Sequence, residues 1–119
     1  MKVWQLENAF GFENLKQVDR PDPEPGRGQV VVEIEACSLN YRDFLMVAGM
    51  YNPKQKLPLV PLSDGAGVVA AVGDDVRDVA VGDRVAGTFF RDWIGRPVPP
   101  RSTLKRARGG PLDGMQIGR

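Results

Sequence analysis

Five residues, Val68-Val69-Ala70-Ala71-Val72, separate Gly67 from the turn Gly73-Asp74-Asp75, and that spacing constrains the fold more than any other feature of the chain. Gly65-Ala66-Gly67-Val68-Val69-Ala70 fits the loose pattern G-x-G-x-x-A of a phosphate-cradling turn. Such a turn must open a helix long enough to cross over to a parallel strand, which takes at least about 10–12 residues. Five residues, three of them β-branched valines, read as a strand instead. Pro58 and Pro61 also make a poor central strand ahead of the pattern. The segment is predicted to be a glycine-bent strand, not a phosphate cradle.

Strand signals recur along the rest of the chain. Lys2–Leu6, with Val3 and Leu6 among polar neighbours, suits a short strand. RPDPEPGRG at 20–28 holds three prolines and two glycines and must be a rigid loop. In QVVVEIEACSL, residues 29–39, Val32, Ile34 and Ala36 alternate with Glu33 and Glu35, the period of a half-buried strand. A short helix is expected over Tyr41 to about Ala48. Asn40 suits its N-cap, Asp43 places negative charge in the first turn, and Gly49 offers a left-handed stop. Leu39 and Phe44 are spaced like a hydrophobic staple. Pro53, Pro58 and Pro61 punctuate a loop, and Gly82-Asp83 leads into a further strand over 84–88. The pattern predicts a mainly β fold, a small, partly open β-barrel with short helices.

Bulk properties close off several functions. A chain of 119 residues suggests one domain, and a net charge of +1 exerts no strong pull on nucleic acid or anionic lipid. No apolar run of about 18 residues is present, and MKVWQLENAF carries charges where a signal peptide would be apolar. Cys37 is the single cysteine, which excludes an internal disulfide and fits a cytoplasmic setting. Histidine is absent, so His-dependent triads and His metal ligands are excluded. Zinc needs three or four Cys, His or carboxylate ligands, and no C-x-x-C pair exists, so no metal site is expected. Residues 91–108 carry six basic residues against one acid. RSTLKRARGG, at 101–110, lacks interleaved aromatics and reads as a solvated loop rather than a nucleic-acid patch. Neither a nucleic-acid nor a membrane partner is expected.

Three segments in order carry a family likeness. They are Ala36-Cys37-Ser38-Leu39-Asn40-Tyr41-Arg42-Asp43, then Val60 through Gly73, then Val81-Gly82-Asp83-Arg84-Val85. Over about Met1 to Gly114 the chain resembles the medium-chain dehydrogenase/reductase superfamily, most closely its zinc-independent, quinone-oxidoreductase-like branch. The resemblance implies a GroES-like catalytic domain over 1–114, with 115–119 a divergent tail. It also implies a separate Rossmann domain for NADPH or NADH, of which these residues contain no trace, and a closing barrel segment beyond it.

In zinc-dependent relatives a cysteine and a His-Glu pair hold the metal; here those places are taken by Asn40, Ser63 and Asp64. The resemblance then implies metal-free hydride transfer to a quinone, enone or carbonyl substrate. Asn40, Tyr41 and Asp43 are the implied catalytic residues, with Asn40 and Tyr41 also at the cofactor and Ser63 and Asp64 lining the substrate pocket. Asn40 and Asp43 as a plain helix cap, and Tyr41 as plain packing, is the competing reading, and the two are compatible. Cys37 reads as a small buried residue at a strand end rather than a reactive thiol.

Two functions stay open at this level. One is the amino-terminal part of an NAD(P)H-dependent oxidoreductase, inactive alone and binding no nucleotide tightly. The other is a free-standing barrel that binds a partner without redox activity. In either case an incomplete barrel exposes strand edges that favour self-association.

Overall fold

The computed structural model describes residues 1–90, 106–110, 112–115 and 117–118. The described residues form two three-stranded sheets and one α-helix, with every strand pair among them antiparallel. Among the described residues the sheets stay open and do not close into a barrel. Of the basic stretch 91–108 and the loop 101–110, residues 91–105 lie outside the described residues. In the described part, expected to be solvated, Ala107, Gly109 and Gly110 are buried, with Gly109 packed against Leu62.

The first sheet is built from β1 (Lys2–Leu6), β2 (Leu15–Asp19) and β6 (Ile117–Gly118), in the order β2-β1-β6. β1 and β2 form a hairpin running from Lys2↔Asp19 to Leu6↔Leu15, joined through a single 3-10 turn, Phe12–Asn14. Val3 and Leu6 are buried as expected. The β2 strand was not legible in the sequence, because Leu15 and Val18 are three residues apart and break a period of two. Within 115–119, read from sequence as a divergent tail, residues 115, 117 and 118 are described and contribute to the fold. Met115 is buried, and Ile117 and Gly118 pair with Val3 and Lys2.

The second sheet holds β3 (Val30–Ser38), β4 (Asp64–Val72) and β5 (Arg84–Ala86), in that order. β4 is longer than the valine run alone suggested, because it takes in Asp64 through Gly67 and with them the whole glycine pattern. The register shifts between Ile34 and Ala36. That irregularity breaks the alternation of β3, so Ala36 is exposed although Val32 and Ile34 are partly covered.

Between β3 and β4 runs α1 (Tyr41–Val47), which ends at Gly49 with φ +75°. The staple is not made: Leu39 is 84% exposed, and the Phe44 ring packs on Tyr41 and Phe12 instead. The core gathers around β1, α1 and the segment 59–62, with Leu6, Met46, Leu59, Val60 and Leu62 all buried.

Candidate active site

The N-terminus of α1 and the start of β4 meet at one point, and three residue pairs define it. Asn40 caps the helix and forms a capping box with Asp43. The Asp43 carboxylate accepts the Asn40 backbone N–H at 2.9 Å. The Asn40 side chain donates Nδ2–H to Asp64 Oδ2 at 2.6 Å. Ser63 donates its hydroxyl to the same Asp64 oxygen at 2.8 Å.

Residue spacing does not show this convergence, but the family resemblance implied it by putting Asn40, Ser63 and Asp64 at the places of one metal site. Here the pairing of Ser38 with Asp64 at the end of β3 and β4 brings Asn40 and Asp64 together. Four of the five expected site residues, Asn40, Asp43, Ser63 and Asp64, therefore form one hydrogen-bonded chain. Asp43 and Ser63, at its two ends, are almost fully buried, whereas Asn40 between them is exposed, so the chain touches the surface at its middle. Asp43 Oδ1 is buried without a hydrogen-bond partner.

Tyr41 stands apart. It is 75% exposed and stacks on Phe44 with ring centres 5.9 Å apart. Its phenol lies at the surface beside the cluster rather than within it. Cys37 is exposed, not buried as expected, and its Sγ–H donates to the Met115 carbonyl at 3.3 Å. Desolvation, and after it the charge of Asp43, raise the Cys37 thiol above its ordinary pKa. That shift keeps the sulfur protonated and works against a role as a nucleophile.

The donor set bears on metals and nucleotides differently. No group of three or more His, Cys, Asp or Glu side chains with metal-binding geometry occurs among the described residues. For a dinucleotide, the test is the glycine pattern. Gly67 lies in β4 against β3, where a Cβ would collide with the Glu33 carbonyl oxygen. Its missing side chain serves close strand packing, so the phosphates of a dinucleotide do not fit there.

No helix among the described residues is long and apolar enough to cross a membrane. Comparison with known proteins gives concordant findings. The alcohol dehydrogenase GroES-like domain family matches residues 26–101. A zinc-type alcohol dehydrogenase-like protein of Schizosaccharomyces pombe is 39% identical over 105 residues, covering 87% of this chain and 30% of its own length. A Sinorhizobium meliloti structure assigned to the alcohol dehydrogenases superposes with a TM-score of 0.79 at 36% identity, over 97% of this chain and 34% of that one. The Escherichia coli quinone oxidoreductase, solved with NADPH, gives a TM-score of 0.64 at 29% identity, over 72% of this chain and 26% of its own. The chain thus spans about a third or less of the length of these relatives.

Proposed function

This chain belongs to the alcohol dehydrogenase GroES-like domain family, within the medium-chain dehydrogenase/reductase superfamily, and from that premise we propose that it supplies the substrate side of a zinc-independent NAD(P)H-dependent oxidoreductase. The acceptor would be a small quinone, enone or carbonyl compound, and the setting cytoplasmic. One observation carries the reading. Asn40, Ser63 and Asp64, which by the family resemblance stand where metal-dependent relatives hold zinc, are joined here by direct hydrogen bonds of 2.6 and 2.8 Å. A side-chain lattice takes the place of a ligand set.

In this reading a nicotinamide cofactor supplies the hydride, and the chain's residues hold the acceptor. Asn40 has one amide N–H on Asp64 and a second to offer to an acceptor oxygen or to the nicotinamide carboxamide. Tyr41, whose exposed phenol is free to meet a ligand, would hydrogen-bond the same acceptor and deliver a proton. Asp43, Ser63 and Asp64 fix the orientation of Asn40. The phosphates are held outside these residues, so the 119-residue chain by itself neither binds NADPH tightly nor turns it over.

A graft of residues 1–114 onto the nucleotide domain of the Escherichia coli relative tests this reading. The graft is expected to reduce 1,4-benzoquinone with NADPH, equally well with a zinc chelator present. Tyr41→Phe should lower kcat by about 10²-fold, within the usual range for a lost general acid, and Cys37→Ala should leave it unchanged. Turnover by the ungrafted chain, or equal rates for both variants, would overturn the assignment. A second reading, a binding module without redox activity, is favoured by one observation: Ile117–Gly118 adds a strand to the β1 edge within this chain. Such a module would give a graft that folds and shows no turnover.

A further inference from the structure

Two residues other than glycine have a positive φ among the described residues, Leu62 at +72° and Asp75 at +63°. Asp75 is exposed in the turn after β4, where a short polar side chain tolerates that geometry. Leu62 has no such allowance. It is a buried aliphatic residue whose Cβ crowds the backbone at positive φ, and such a conformation persists only where the surroundings enforce it.

The surroundings enforce it from two sides. Gly109, itself at φ +62°, lies so close that a Cβ there would stand 2.8 Å from the Leu62 carbonyl carbon. A Cβ at Gly114 would collide with the carbonyl oxygens of Pro61 and Leu62. Met115 N–H donates to the Leu62 carbonyl at 2.9 Å. The turn that carries Gly109 is tied back to α1, because Arg42 Nη1 donates to the carbonyls of Arg108 and Gly109 at 3.2 and 3.5 Å.

The residue after Leu62 belongs to the site. Ser63 is buried, and its hydroxyl donates to Asp64 Oδ2, the oxygen that also accepts the Asn40 amide. In an extended chain successive side chains point to opposite faces, so the φ reversal at Leu62 decides where the Ser63 hydroxyl is aimed. The helix α1 is thereby held to this segment twice: at Arg42 through Gly109 and Leu62, and at Asn40 through Asp64.

We propose that Leu62 is a positioning residue: its left-handed backbone, wedged by Gly109, Gly114 and Met115, aims Ser63 at Asp64 and so fixes the Asn40 amide. The functional part of this inference rests on the reading of Asn40 as the group that meets the acceptor.

The test is the side-chain amide spectrum of the ¹⁵N-labelled 119-residue chain. The Asn40 Nδ2 pair is assigned by its absence in Asn40→Ser, which keeps a capping oxygen. Its two protons should be widely separated, with the one on Asp64 shifted downfield. Leu62 should show the strong NOE between its own N–H and Hα that marks a positive φ. Leu62→Met and Leu62→Ile both keep the buried volume, but only isoleucine is branched at Cβ and resists that φ. The Asn40 separation is expected to be unchanged in Leu62→Met and to collapse to that of a freely solvated asparagine in Leu62→Ile. A residue that merely packed would leave the pair unmoved in both. The proposal is overturned if the pair is the same in all three chains, or if Leu62→Met disturbs it as much as Leu62→Ile. Should Leu62→Ile fail to fold, the unaltered chain decides alone: a strong Leu62 NOE with a separated Asn40 pair supports the proposal, and the loss of either overturns it. None of these readings needs nucleotide or turnover, so a failed redox reading shows separately, as an inactive graft.

Discussion

Asp43 is held almost out of water, with one carboxylate oxygen on the Asn40 N–H and the other without a partner. The arrangement costs hydration and persists because the capping box fixes the first turn of α1 against β4. Asn40→Ala removes the cap and the bond to Asp64 together, and is expected to lower stability by about 1 kcal/mol, measured as a reduced urea midpoint at unchanged slope. At Cys37 the raised pKa favours the protonated thiol in the folded chain. The stability tied to it is therefore complete below the ordinary thiol pKa and is lost as pH rises through the raised value. Iodoacetamide should alkylate the folded chain more slowly than the urea-unfolded chain at pH near 8, with the difference closing in strong alkali. Equal rates at every pH would remove the desolvation argument. At this scale the cap was legible, because Asn40, Asp43 and Gly49 act on their own neighbours in sequence. The hydrogen bond of Cys37 to Met115 was not, since it depends on where residue 115 comes to lie.

Elements show the same division between local and distant causes. The valine run after Gly67 announced a strand through its own side chains, and the helix announced itself through its ends. What stayed hidden was set by partners: the irregularity at Ile34/Ala36 exists only in the register of β3 against β4, and Leu39 lost its staple because Phe44 found Tyr41 and Phe12. Gly67 gives the sharpest check at this level. A side chain there meets the Glu33 carbonyl, so Gly67→Val must push β3 away from β4. The expected loss is at least about 1–3 kcal/mol, readable by chemical denaturation. A neutral result would mean that the two strands are not paired at Gly67.

Across the whole molecule the core is lopsided. Leu6 is fully buried among β1, α1 and the segment 59–62, and Leu6→Ala is expected to cost about 2–5 kcal/mol in a thermal or urea melt. The second sheet instead borders a broad groove lined by Val30, Val32, Ile34, Val85, Leu112 and Met115, with a volume of about 730 Å³. An open apolar groove should bind the dye ANS in the native state, with fluorescence well above that of a closed β-barrel of similar size. Fluorescence no higher than that of such a barrel would show the groove covered in solution. The family likeness was readable because its three segments are continuous in sequence, whereas the openness of the sheets is a property of the assembled chain.

Segment 59–62 is also where distant parts of the chain meet. Leu59 exchanges backbone hydrogen bonds with Leu6, Val60 N–H donates to Asp113 Oδ1, and the Pro61 and Leu62 carbonyls accept from Met115 N–H. Ser63 and Asp64 follow directly. On a ribosome, where residues emerge in order, the Asp64 end of the cluster is synthesised long before the groups that anchor its approach. Strands β1 to β5 and the helix can gather early, but the loop leading to Ser63 can lock only after residues 113–115 have cleared the exit tunnel. Until then the backbone hydrogen bonds to Leu6 hold the apolar stretch Leu59–Leu62 only at its start, and that interval is when a holding chaperone would have something to grip.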